Sequence, residues 1–195
     1  MAEKKSNFES DYLEIEPVKS EKEIAWDTQR GEINEICDSL GLGIDEGVKE
    51  AVTAFQMHKF PTSASCEGHL QEEGKEKHGH PYPWIEIYLP APKDWEKSKG
   101  KKREKLESEW SEQNLEQQKK MMDLIGEFYN GREVPIDVRL TFDYIGKFGG
   151  FSVQSFGSNL VEFRTTPEQQ KEKITIYRKE MDDFTHFLKN KFFEE

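Results

Sequence analysis

Cys66 and His69 carry the most reactive pairing in this sequence, three residues apart in Ser65-Cys66-Glu67-Gly68-His69. A thiol is a nucleophile and a metal ligand once it has lost its proton, and an imidazole is a base or a ligand near neutral pH. Gly68 permits a tight turn between them, which would bring sulfur and ring to the same side. Three readings stay open. In the first, Cys66 is a small buried group at a strand end and His69 hydrogen-bonds a neighbouring carbonyl. In the second, Cys66 is a nucleophile and His69 lowers its pKa or takes its proton, with Glu67 and Glu86 as further candidates for proton transfer. In the third, Cys66 and His69 join His78 and His80, across a polar loop, as one thiolate and three imidazoles around a zinc ion.

The segment Thr62-Ser63-Ala64-Ser65-Cys66-Glu67-Gly68-His69 resembles one in uncharacterised bacterial and phage proteins that carry Ser-Cys-x-Gly-His. That resemblance implies no activity. Over Asp45 to His69 the chain also resembles the Ser-Ser-Cys-Ser-Gly-Arg stretch of the wybutosine-synthesis methyltransferases, which act on tRNA. It departs from them at His69, where that family has Arg, and no other motif of theirs occurs here.

Something must position these residues, and the chain has enough material. It has 195 residues with a net charge of −11, and 34% of it is charged against 34% hydrophobic. Thirteen Phe and four Trp supply core area that the low apolar fraction would otherwise deny. A field of this sign repels phosphate backbones and anionic membranes. The basic run Lys97, Lys99, Lys101, Lys102, Arg103 and Lys105 is followed at once by acidic residues, so it reads as a solvated face paired along a helix. Two cysteines are too few for a disulfide framework. Met1 to Ser20 has no apolar core of a signal peptide, so the expected location is the cytoplasm.

Periodicity gives the elements. Residues 1–19 read as a flexible tail and 20–195 as a single α+β domain. Ser20-Glu21-Lys22-Glu23 is a capping box that opens a helix running to Gly41. A second helix covers 44–58 on the stripe Ile44, Val48, Ala51, Val52 and Phe55. Strands follow at 62–66 and 84–89, then a long charged helix over 102–130 whose polar middle, 111–120, is expected to be wet. Alternation predicts a strand over 136–144, and two more at 151–156 and 160–164, as a meander. Thr166-Pro167-Glu168-Gln169 starts the last helix, with a seam of Ile174, Tyr177, Met181, Phe184 and Leu188 that suits either core or a homodimer. The order is therefore ααββαβββα, a mostly antiparallel five-stranded sheet with helices on one face.

No complete catalytic constellation can be assembled from this pattern. The leading expectation is a noncatalytic binding or regulatory module that meets a protein partner or small ligand and not nucleic acid or membrane. The alternative is a small metal- or thiol-dependent enzyme centred on Cys66 and His69.

Overall fold

The computed structural model describes residues 19–38, 41–70 and 80–194. Most of the expected tail (residues 1–18) and His78 lie outside them. Helix α1 spans Glu21–Asn34, and its capping box is present. The Ser20 hydroxyl accepts from the Glu23 amide at 3.3 Å, and the Glu23 carboxylate accepts from the Ser20 amide at 2.6 Å. The helix stops well short of Gly41. Ile33 is its last buried side chain; Ile36 and Leu42 are exposed, and Cys37 bridges to Gly43 as isolated extended backbone. With no apolar face left to bury, nothing holds further turns.

A 3-10 turn at Glu46–Val48 leads into α2, Lys49–Met57. Strands β1 (Thr62–Cys66) and β2 (Trp84–Ile87) follow, then α3 (Gly100–Phe128), β3 (Leu140–Ile145), β4 (Gly150–Ser155), α4 (Ser158–Arg164) and α5 (Pro167–Glu194). The fold is α+β with an antiparallel sheet, but the sheet has four strands in the order β1-β2-β4-β3. The fifth expected strand, 160–164, is α4. A short apolar run is ambiguous between strand and helix by period alone. Here the Gly157 carbonyl accepts from the Leu160 and Val161 amides, and Val161 turns in against Tyr82, Val138 and Tyr177. The strand expected over 136–144 begins only at Leu140, because 136–139 form a turn that leaves Ile136 exposed.

Directly opposed residues share a sheet face. Ser65, Ile85, Val153 and Phe142 form one file, and Cys66, Trp84, Gln154 and Thr141 another. The first face is the core side: Ile85, Ile87, Phe151 and Val153 are fully buried in one cluster with Phe55 of α2 and Phe184 of α5. Cys66 therefore sits on the more polar side, at the end of an edge strand.

Two helices differ from the sequence expectation. The middle of α3 is not all wet: Asn114 is fully buried. Its amide accepts from the Leu89 N–H at 2.9 Å and donates to the Phe148 carbonyl at 2.9 Å. A polar side chain can be core when it completes backbone hydrogen bonds. The α5 seam, Ile174 to Leu188, is buried inside this chain, so it is spent on the core and is not a free dimer surface. The Glu180 carboxylate fixes α5 further. It takes a hydrogen bond from the Tyr129 hydroxyl at 2.7 Å and a two-pronged one from Arg132. No helix among the described residues is long and apolar enough to cross a membrane.

Candidate metal centre

Three side chains converge where β1 ends. One donor atom each from Asp45, Cys66 and His69 lies within 4.8 Å of the other two. Cys66 is the last residue of β1, Gly68 makes the turn, and His69 follows it. Asp45 comes from the residue before the 3-10 turn, a position where an Asp side chain ordinarily caps its own helix. It makes no such cap here. Its carboxylate instead accepts from the Glu67 amide at 3.1 Å and meets His69 Nε2 at 3.1 Å.

The turn is held by close backbone packing and by hydrogen bonds from α5. Gly68 has φ +84°. A Cβ there would come within 2.7 Å of the Tyr82 carbonyl carbon, so backbone approaches backbone too closely for any side chain. Arg178 of α5 clamps the same turn: its guanidinium donates to the Glu67 carbonyl at 2.9 Å and the Gly68 carbonyl at 2.7 Å. The His69 amide donates to the His80 carbonyl at 2.8 Å.

The sulfur environment favours a thiolate only if a cation is supplied. Burial pushes the Cys66 thiol pKa up. The amides of Gly68 and His80 point at the sulfur and pull the other way, while the Asp45 carboxylate both accepts from the thiol and repels its charged form. The Gly68 N to Sγ distance is 3.3 Å. Amide donors on sulfur are what a metal-bound thiolate uses, whereas a free thiolate in this dry site is penalised.

The other expected site residues are placed elsewhere. The His80 ring stacks on Tyr82 at 5.1 Å between centroids; its backbone, not its imidazole, serves the turn. The Glu67 carboxylate accepts from the Gly47 amide at 2.8 Å and lies 3.4 Å from Arg178. Glu86 accepts from the Ser63 hydroxyl at 2.8 Å. Asp45 and Arg178 were not legible as site residues. An Asp at a helix start gave the only signal for Asp45, and that signal pointed to capping.

The thiol's raised pKa has a direct consequence. Cys37 is exposed and Cys66 buried. In protein stripped by a chelator at pH 8, Cys37 is expected to alkylate first and Cys66 at least about tenfold more slowly, since the thiolate is the reactive form. Equal rates by peptide mass spectrometry would show the sulfur to be neither buried nor protonated.

Comparison with known proteins gives no guide to this site: no protein-family model, curated protein or solved structure matches the chain.

Proposed function

We propose that this protein is a metal-dependent binding module, holding one zinc-class divalent ion through Asp45, Cys66 and His69. The convergence of those three donors carries the reading. Oxygen, nitrogen and sulfur together suit zinc, which is borderline in softness. A nucleophilic relay would need the imidazole to stand between thiol and carboxylate, using one nitrogen toward each. Here one atom from each group approaches a common point, which suits a shared cation. That cation would take the place of the protons now shared with the Asp45 carboxylate.

Three protein ligands leave a fourth tetrahedral position for water or for a donor atom of a bound ligand. Binding is favoured over hydrolysis because both neighbouring carboxylates are engaged: Glu67 with Gly47 and Arg178, Glu86 with Ser63. Neither stands ready as a general base.

The test is a cobalt titration of untagged protein. One ion per chain, with a thiolate-to-cobalt charge-transfer band in the near ultraviolet, is the expected result. Uptake that never saturates, or saturates without that band, removes Cys66 and with it the reading.

The pH dependence has a defined sign. Binding the ion expels the Cys66 proton, so below the thiol's folded pKa the affinity rises about tenfold per pH unit. From pH 6 to pH 8 competition with a chelator should show an increase of about a hundredfold. The stripped protein behaves oppositely. A thiol pKa raised on folding contributes stability that is complete below the unfolded value and is lost as pH climbs through the folded one. The gap between loaded and stripped melting temperatures should therefore widen with pH.

A further inference from the structure

A groove of about 420 Å³ opens beside the metal centre and shares Asp45 with it. One wall is Thr62, Ser63, Ala64 and Ser65, four consecutive residues of β1. Side chains along a strand alternate between the two faces, so a cavity on one face would be lined by every second residue. Four in a row mean that the groove runs along the strand's edge and looks at its backbone. β1 is an edge strand, paired only with β2 among the described residues. Half of its N–H and C=O groups accordingly point away from the sheet.

The far wall leaves apolar surface uncovered. Ile36 and Leu42 line it and are 45% and 60% exposed, apolar surface left uncovered beside hydrogen-bonding backbone. Asp38 and Asp45 are among the groove's lining residues, and none of the described ones is Lys or Arg. Its size can be compared with strand dimensions. Spacings of 3.4 Å along a strand, 4.8 Å between strands and 10 Å between layers give about 160 Å³ per residue, so the groove accommodates two to three residues of extended chain.

We propose that this groove binds an extended, cationic peptide segment, which pairs with the outer edge of β1 as an added strand and ends beside the metal centre. Main-chain hydrogen bonds supply the binding, Ile36 and Leu42 receive the side chains of one face, and Asp38, joined by Asp45 when no ion neutralises it, selects positive charge. The groove goes beyond the metal reading and does not need the ion.

The test uses the capped pentapeptide acetyl-Lys-Val-Lys-Val-Lys-amide, with ¹⁵N-labelled full chain observed by NMR. Titration in excess chelator and again with zinc separates the two readings. Saturable shifts confined to residues 36–38, 41–45 and 62–66 and to the α2 positions 52 and 56 that line the groove, present under both conditions, are expected. A counterpart with Glu in place of Lys, and one methylated on its backbone nitrogens, should each bind at least about tenfold more weakly. Cys37 also lines the groove and is exposed, so the peptide should protect it from maleimide, and prior maleimide labelling should block the peptide. No saturable shift at millimolar peptide overturns the proposal. Equal binding of the methylated peptide does the same, as do shifts centred elsewhere. Peptide binding without any zinc uptake would leave the groove standing and remove the metal centre alone.

Discussion

The double variant Cys66→Ala, His69→Ala is expected to lose at least about four orders of magnitude in zinc affinity while still folding. A closed four-ligand zinc site is worth about 10–16 kcal/mol, or roughly 3 kcal/mol per ligand, so removing two of three protein ligands costs about 6 kcal/mol or more. The fold should survive because neither side chain is central to it. Cys66 is small, and the His69 ring lies at a turn, 36% exposed in its side chain. A competition assay against a chelator reads the affinity, and circular dichroism reads the fold. Asp45→Asn is the finer companion. It is isosteric and keeps an oxygen to accept from the Glu67 amide, but it loses the charge, and a drop of about 10- to 100-fold is expected. Zinc held with unchanged stoichiometry and affinity by the double variant would place the ion elsewhere in the chain.

The difference between what could and could not be read from sequence follows the range of the interactions. Ser-Cys-x-Gly-His announced itself because its chemistry is local: sulfur, glycine turn and imidazole within four residues. Asp45 reaches the same point only because the chain through α2 packs back against β1, and no local pattern encodes that return. Arg178 is more remote still, holding the Glu67 and Gly68 carbonyls from more than a hundred residues away. The same rule governs the fold. Both capping boxes, Ser20 with Glu23 and Thr166 with Gln169, are present, since a cap is decided within one turn. The expected strand at 160–164 is helical instead, because its fate depends on Val161 finding Tyr82, Val138 and Tyr177, three residues that sequence spacing does not bring near. Asn114 misled for a related reason: an amide reads as solvent-facing until the two backbone groups it completes are known.

Gly68→Ala should be the most damaging single methyl that can be added near the site. Two costs act together. A left-handed backbone costs a non-glycine residue roughly 1–2 kcal/mol, and forcing a methyl into filled space costs roughly 1–3 kcal/mol more. The atoms it meets, Tyr82 C at 2.7 Å and O at 2.9 Å, are backbone on the approach to β2 and have little room to retreat. A loss of about 2–5 kcal/mol is expected in denaturant unfolding of the stripped protein. The damage should reach the metal as well, because the Gly68 amide faces the sulfur and its carbonyl is gripped by Arg178. Shifting that peptide moves the N–H donor facing Cys66 and the root of His69 together. Gly47→Ala is the proper control. Its Cβ would also collide, but with the Glu67 carboxylate, the far end of a flexible side chain that can swing aside at the loss of its hydrogen bond from the Gly47 amide, and its cost should be well under half that of Gly68→Ala. If Gly68→Ala unfolds at the wild-type midpoint and binds zinc as tightly, the glycine bend is not what holds thiol and imidazole together.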